Sequence, residues 1–166
     1  MEVIWDMRLN EGVEWAMHCC LTLAWLGDEE PISTARLAAG YELPPPYLNK
    51  QLQALVKAGI MTSTPGVRGG FRLAQPLAKI TLLDVVMAIE GPAEAFHCTD
   101  IRERGVGAEK AAWQFRTPCA ISTAMRTAEV AWRRALAAQT LADVQAVVDR
   151  RIPHQGDVIR RWYAQG

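Results

Sequence analysis

Two pairs of side chains in this 166-residue sequence are of types that bind metals, and the first is Glu14 with His18. They lie four positions apart in the apolar segment GVEWAMHCCLTLAWL, which reads as a helix. Residues four apart share one face of a helix, so both side chains can reach one metal ion. Carboxylate oxygen and imidazole nitrogen are common metal ligands. The alternative is an ordinary solvated pair, because this spacing is frequent.

Cys98 and Cys119 form the second pair, at the two ends of an irregular segment. Nearby cations lower the pKa of a thiol, and the thiolate is the form that binds metal or reacts with oxidants. Three arginines of this segment could act in this way: Arg102, Arg104 and Arg116. The alternative is two unrelated cysteines. Cys19 and Cys20 lie in the apolar helix and are predicted to be buried, inert thiols.

The composition indicates a soluble globular protein, with half of the residues apolar and 22% charged. No apolar run approaches the roughly 20 residues of a membrane span. Residues 1–6 read as an extension before Met7, a plausible alternative start, and lack the features of a signal peptide. A cytoplasmic location is expected. No catalytic triad, P-loop, dinucleotide fingerprint or CxxC pair is present, so an enzyme is not predicted.

Residues 44–73 carry the most organised pattern of the chain. After a proline run that blocks a helix, apolar residues recur at helical spacing up to Gly59, where the helix is expected to end. Two short strands are predicted at 60–63 and 71–73, joined by a glycine-rich turn with Arg68 at its tip. A helix followed by a hairpin with a basic tip is typical of a winged helix-turn-helix, which binds duplex DNA.

Charge supports that interpretation. From Leu43 to Leu83 there are five cations and no acid, although the whole chain has 18 of each. One basic segment in a neutral protein suits a single phosphate-facing surface. The alternative is an accidental bias on a solvated surface. Earlier in the chain, a short helix capped by Ser33 or Thr34 completes the order helix, turn, helix, hairpin.

The second half of the chain predicts two further helices. Thr81 caps a helix that ends at Gly91, and a long helix begins at Cys119. An apolar stripe on that helix predicts a homodimer interface, with packing back onto the winged helix as the alternative. The stripe comprises Ile121, Met125, Ala128, Trp132 and Leu136.

The predicted fold is therefore mainly α with a small β-hairpin, a winged helix-turn-helix plus a long C-terminal dimerisation helix. Its parts are a DNA-binding domain at 7–91, a sensor loop at 92–118, a dimerisation region at 119–151 and a tail at 152–166.

Three stretches together resemble the IscR/NsrR/RsrR group of bacterial winged-helix regulators: YLNKQLQALVKAG, RGGFRLA and ITLLDVVMAIEG. The similarity spans about residues 7–148, and GVEWAMHCC with HCTDIRERG is most similar to the redox regulator RsrR. The resemblance implies a dimeric transcription factor that binds a palindromic operator. It also implies a 2Fe–2S cluster held by glutamate and histidine from one protomer and two cysteines from the other.

Under this resemblance Glu14, His18 and Cys119 fall on ligand positions, and Trp15 falls on a tryptophan that reorients with cluster state. The other ligating cysteine of the family falls near Ala111, which is a departure from the pattern. The chain could use Cys98 instead, bind through fewer thiolates, or have no cluster.

The sequence analysis thus predicts a cytoplasmic, homodimeric regulator that senses redox or nitrosative signals. Major-groove contacts are expected from α-helical residues and backbone or minor-groove contacts from the wing. The expected set is Pro46, Tyr47, Asn49, Lys50 and Gln51 with Arg68, Gly69 and Gly70. Two rivals remain: a cluster-free regulator that senses by cysteine oxidation or a protein partner, and a metal- or haem-binding protein that no longer binds DNA.

Overall fold

The computed structural model describes residues 9–109 and 115–165. The predicted extension with Met7, and Ala111, lie outside the described residues. Within these ranges the chain forms seven α-helices and one two-stranded antiparallel sheet. The helices are α1 (Glu11–Leu26), α2 (Thr34–Gly40), α3 (Pro45–Lys57), α4 (Leu82–Glu90), α5 (Ala120–Ala137), α6 (Leu141–Arg151) and α7 (Gln155–Gln165), and the strands are β1 (Met61–Thr64) and β2 (Gly70–Leu73). The prediction of a mainly α fold with a small hairpin is confirmed.

The chain divides into two compact units. The first contains the residues up to Gly91 together with those from Ala137 onward, and the second runs from Pro92 to Leu136. This division differs from the predicted domains, since α6 and α7 belong with the winged helix. The predicted tail contains helix α7, whose Tyr163 is only 5% exposed. None of the helices in the described ranges combines the length and apolarity needed to cross a membrane.

Helix α1 lies at the centre of the first unit and contacts α3, α4, α6, α7 and β2. Its side chains Ala16, Cys19 and Cys20 are fully buried. Small side chains let neighbouring helices approach closely, and larger residues from those helices fill the remaining space. The largest fully buried side chains of the core include Leu37, Leu48, Leu52, Leu55, Ile60, Met61, Ile80 and Leu141.

Helices α2 and α3 begin with different local signals. Ser33 caps α2, since its hydroxyl accepts a hydrogen bond from the Arg36 amide at 3.3 Å. Helix α3 starts inside the proline run, with Pro45 and Pro46 in its first turn. Proline is tolerated there because the first amides of a helix have no intrahelical partner. The run therefore begins the helix rather than blocking it.

The wing is tied to the helix-turn-helix by backbone pairing. Met61 faces Leu73 across the antiparallel pair. Ile32, just before α2, donates its amide to the Phe71 carbonyl at 3.0 Å and accepts the Phe71 amide at 2.8 Å. The Cβ of any other residue at Gly70 would collide with the Ile32 backbone. The glycine thus allows the close approach that fixes the wing beside α2.

Helix α6 joins the first unit through a second backbone pairing. The Leu82 amide donates to the Gln139 carbonyl at 2.9 Å, and the Leu141 amide donates to the Ile80 carbonyl at 2.8 Å. Both paired segments end in a capping box, formed by Thr81 with Asp84 and by Thr140 with Asp143. The cap predicted at Thr81 is therefore present.

In the second unit, α5 has no buried residue. Ile121 and Met125 of its apolar stripe are exposed, and Trp132 and Leu136 are half-buried. The loop before α5 is fastened to it, since Glu129 accepts the Ala95 amide at 3.1 Å. An apolar helix face that stays partly exposed in this way is typical of an interface.

We expect Leu141→Ala to lower the free energy of unfolding by about 2–5 kcal/mol, because the deletion opens a cavity in the core shared with α6. Urea denaturation at a fixed protein concentration measures the change. Val158→Ala, at a site 47% exposed on α7, serves as the control and is expected to change the free energy by about 0.5 kcal/mol or less. Equal effects of the two substitutions would contradict the packing of α6 described here.

Candidate functional site

Helix α3 presents a polar face to solvent. Pro46, Asn49 and Lys50 are exposed, and the Tyr47 side chain is 66% exposed. The opposite face is fixed in the core by apolar side chains that are fully buried, so the helix cannot rotate without exposing them. These core residues are Leu48, Leu52 and Leu55. The predicted orientation of α3 is thus present for four of its five expected DNA-contacting residues.

Gln51 is the exception. Its side chain is 7% exposed, and a Cβ built on Gly12 of α1 would lie 2.5 Å from its amide carbon. The residue therefore fills the contact between α1 and α3 and does not face solvent with Lys50. A long polar side chain can be buried here because Gly12 leaves room for it. Gln51 is therefore not expected to contact DNA.

A groove of about 500 Å³ separates α3 from the wing. Its lining includes polar side chains from α2, α3 and the wing: Ser33, Thr34, Asn49, Gln53, Ser63 and Thr64. The Thr34 hydroxyl donates to Oδ1 of Asn49 at 3.1 Å, which links the start of α2 to the exposed face of α3. Hydroxyl and amide groups of this kind commonly contact phosphate and sugar in DNA complexes.

The wing tip projects a cation. Arg68 is exposed, and the neighbouring Val67 is fully exposed. Gly69 packs so closely on Thr64 that a Cβ would collide with its carbonyl oxygen, while Gly66 adopts φ 102°. The tight turn thus depends on glycine and directs Arg68 away from the unit.

The Glu14 and His18 side chains lie side by side on the solvent face of α1. Oε1 of Glu14 is 4.0 Å from Nε2 of His18, and the side chains are 73% and 52% exposed. The His18 ring also contacts the Tyr41 ring at a centroid distance of 5.4 Å. Trp15 is partly buried and packs against the core. Helical spacing therefore brings the first donor pair together as predicted.

Cys98 and Cys119 also lie together, within the second unit. The pKa of the Cys119 thiol is lowered, chiefly by the backbone amides of Ser122 and Ile121 at the start of α5. Arg102 and a hydrogen bond with the Cys98 side chain lower it further. A thiol at the start of a helix is stabilised as thiolate by the unpaired amides there.

Arg102 holds the cysteine-containing loop in shape. Its Nε donates to Oδ1 of Asp100 at 2.6 Å, and its Nη2 donates to the Thr117 carbonyl at 2.7 Å. The guanidinium also lies over the Phe115 ring, 5.5 Å from its centroid. One arginine thus joins the two ends of the loop near the cysteine pair. Arg104 and Arg116 are exposed.

The thiols of Cys19 and Cys20 have raised pKa values, in contrast to that of Cys119. Both are fully buried in α1, and burial raises the pKa of Cys19 to about 12 and the pKa of Cys20 even more. Thiols held in this neutral form are poor nucleophiles and poor ligands. The prediction that they are inert agrees with this placement.

The two donor pairs belong to different units, Glu14 with His18 to the first and Cys98 with Cys119 to the second. Within residues 9–109 and 115–165, no three histidine, cysteine, aspartate or glutamate residues converge on a common metal position. Each pair alone can supply two donors, so a four-ligand centre would need both pairs.

The family model Rrf2, described as an iron-dependent transcriptional regulator, matches residues 9–146. The chain belongs to the Rrf2 family. YwgB of Bacillus subtilis, named as a candidate HTH-type transcriptional regulator, is 31% identical over 144 residues that cover 87% of this chain and 86% of YwgB. The resemblance to the IscR/NsrR/RsrR group is thereby confirmed, and regulation of transcription through DNA binding is the activity of the family.

Solved structures support the fold. T. potens IscR superposes with a TM-score of 0.66 at 21% identity, covering 92% of this chain and 96% of IscR. The oxidized form of Staphylococcus aureus CymR superposes with a TM-score of 0.59 at 21% identity, covering 84% and 96% of the two chains. Both share the winged helix with this Rrf2 protein.

Sequence reasoning missed the contacts of Tyr41 and Thr34, and it placed Gln51 on the exposed face of α3. Tyr41 lies beside His18, Thr34 binds Asn49, and Gln51 is buried against α1. All three depend on contacts between helices. The only local signal was the position of Tyr41 and Thr34 at the two ends of the short helix α2.

We expect only two of the four thiols of reduced, metal-free protein to react quickly with Ellman's reagent. Cys98 and Cys119 are partly exposed, whereas Cys19 and Cys20 are buried and should react roughly tenfold or more slowly. The released chromophore gives the count, and all four thiols should react in guanidinium. Fast thiols that persist in a Cys98→Ser/Cys119→Ser variant would contradict this assignment.

Proposed function

We propose that this Rrf2 protein is a cytoplasmic, homodimeric regulator that couples a redox or nitrosative signal to operator binding. One observation carries the proposal: α1, which bears the Glu14–His18 pair, packs directly on the recognition helix α3 at Gly12 and Gln51. A change at the donor pair therefore has a short physical route to the DNA-reading surface. The apolar stripe of α5 supports pairing with a second copy of the chain.

DNA contact is assigned to the exposed face of α3 and to the wing. Asn49 and Lys50 would face the major groove, where an amide suits adenine and an ammonium suits guanine or phosphate. Tyr47 and Pro46 flank them. Arg68 and the wing glycines would contact the backbone or minor groove of a palindromic duplex.

The donor set fits a 2Fe–2S cluster. A thiol pair in which one pKa is lowered suits iron, and the carboxylate and imidazole of α1 would bring the number of ligands to four. We assign Glu14 and His18 from one protomer, with Cys98 and Cys119 from its partner. Such a cluster supplies one-electron redox chemistry when bound, and histidine ligation raises its potential. Trp15, beside Glu14 on α1, is assigned as the residue that responds to cluster state.

A second candidate is sensing by cysteine oxidation without a cluster, and the contact between Cys98 and Cys119 favours it. Hydrogen peroxide would take two electrons and two protons from the thiols, leaving a disulfide and two water molecules. S. aureus CymR, which shares the fold, has been solved in an oxidized form. Iron-free protein whose operator affinity changes with peroxide, and recovers with dithiothreitol, would favour this candidate.

We expect Lys50→Ala to weaken binding to all DNA sequences alike and to lower the slope of log affinity against log salt by about 1, since one phosphate contact is lost. Fluorescence anisotropy with a selected operator and with a random duplex measures both. Lys79→Ala is the matched control, because Lys79 lines a separate groove beside Asp84 and Met87. An unchanged slope in Lys50→Ala would rule out the phosphate contact.

We expect anaerobically isolated protein to contain about two iron and two sulfide per protomer, with the absorbance spectrum of a 2Fe–2S cluster. His18→Ala and Cys119→Ser should lose most of this iron, whereas Cys20→Ala, a change in a buried thiol, should retain it. Operator affinity should differ between the oxidised and reduced states by about 5–150-fold.

Two results would contradict parts of this proposal. Iron-free protein that binds the operator would leave only the cysteine-oxidation candidate. Equal affinity of the loaded protein in both redox states would remove the switch and leave a constitutive DNA-binding protein.

A further inference from the structure

Tyr41 connects the first donor pair to the helix-turn-helix. Its hydroxyl lies 2.7 Å from Oγ1 of Thr22 and donates to the His18 carbonyl at 3.4 Å. Either hydroxyl can be the donor in the bond between Thr22 and Tyr41. The Tyr41 ring contacts the His18 ring at 5.4 Å. The backbone and side chain of His18 thus both meet one residue of the helix-turn-helix.

The Thr22 end of this contact is rigid. Thr22 is fully buried in α1, and leaving a buried hydroxyl without a hydrogen-bond partner is unfavourable. The bond to Tyr41 is therefore favoured strongly enough to hold Tyr41 in place. Any displacement of α1 at His18 and Thr22 carries the Tyr41 side chain with it.

The connection from Tyr41 to α3 is short and stiff. Only Glu42, Leu43 and Pro44 lie between Tyr41 and the first residue of α3. Glu42 adopts the left-handed conformation, with φ 53°, and proline fixes φ at Pro44. The Leu43 amide is bonded to the Ala38 carbonyl at 2.9 Å. A connection with so few free torsions transmits displacement instead of absorbing it.

We propose that Tyr41 is the positioning residue that relays the state of His18 to recognition helix α3. The proposal rests on the proposed function, in which His18 is a sensor ligand and α3 reads the operator. The relay consists of the ring contact with His18, the hydroxyl bond to Thr22 and the stiff turn into α3. The contact of Gly12 with Gln51 is a separate route from α1 to α3, and the test distinguishes the two.

Tyr41→Phe tests the relay, because it removes the hydroxyl bonds and keeps the ring. Tyr163→Phe is the matched control: Tyr163 is a second tyrosine packed on α2, and it is buried, but its hydroxyl has no hydrogen-bond partner among the described residues. The measured quantity is the ratio of operator affinities of the two redox states. We expect Tyr41→Phe to reduce this ratio about 2–30-fold and Tyr163→Phe to leave it unchanged.

A second measurement does not require the cluster. Coupling between two sites is reciprocal, so operator binding must also affect His18. In metal-free protein with ¹⁵N-labelled histidine, the operator should shift the ring resonances of His18 in the wild type and in Tyr163→Phe. The shift should be lost in Tyr41→Phe. The resonances of the other two histidines, His97 and His154, are assigned by substitution.

These measurements distinguish a failure of the relay from a failure of the proposed regulatory function. A normal affinity ratio and a normal His18 shift in Tyr41→Phe overturn the relay, leave the regulator intact and assign the coupling to Gly12 and Gln51. Wild-type protein that binds no DNA at low salt overturns both the relay and the proposed regulatory function. If Tyr41→Phe does not fold, Thr22→Val removes the same bond from the α1 side. The ratio of operator affinities of its two redox states then tests the relay.

Discussion

The burial of α1 is the constraint on which the first unit depends. One face of the helix consists of small side chains, among them Ala16, Cys19 and Cys20, all fully buried. Five other elements pack around this helix. Close packing leaves few ways to move α1 without moving its neighbours, since core contacts shift between discrete arrangements and do not deform continuously. The helix that carries the Glu14–His18 pair is therefore the structural axis of the DNA-binding unit.

The same burial separates the chemistry of the four thiols. Cys19 and Cys20 fill space in the core, where desolvation keeps them protonated. Cys98 and Cys119 lie where backbone amides and Arg102 stabilise a thiolate. Reactivity is thus set by position in the fold and not by residue type. Thiol chemistry at the loop cysteines can therefore occur without modification of the core cysteines.

Local signals allowed much of the fold to be predicted. The apolar period of α3, the caps at Ser33 and Thr81 and the glycine-rich turn each lie within a few residues of the feature they determine. Helix α6 occupies 141–151 within the predicted dimerisation region, and its cap at Thr140 is again a local signal. The starting point of α3 was missed because proline in a first turn looks the same in sequence as proline that stops a helix.

The site was harder to predict because it depends on contacts distant in sequence. Gln51 reads as an exposed residue on a polar face, and only Gly12, 39 positions earlier, makes room to bury it. The contact of Cys98 with Cys119 depends on how the loop folds back to α5. The Glu14–His18 pair could be predicted because both residues lie about one turn apart on the same helix.

Helix α7 adds a restraint that lies beyond the residues matched by the Rrf2 family model, which end at 146. The Arg36 guanidinium of α2 donates to the Tyr163 carbonyl and lies over the Tyr163 ring, 5.5 Å from its centroid. Gly40, at the end of α2, has no Cβ and so leaves room for the Tyr163 hydroxyl. Helix α2 is thus held along its length by α7.

This anchoring bears on how a signal can reach α3. If α2 were free to slide, a displacement at Tyr41 would be absorbed by movement of the short helix. Because α7 fixes α2 at Arg36 and Gly40, the displacement must pass through the three-residue connection into α3. That connection is itself constrained by the left-handed Glu42 and by Pro44. Restraining the first helix of the motif therefore directs movement of α1 toward the helix that faces DNA.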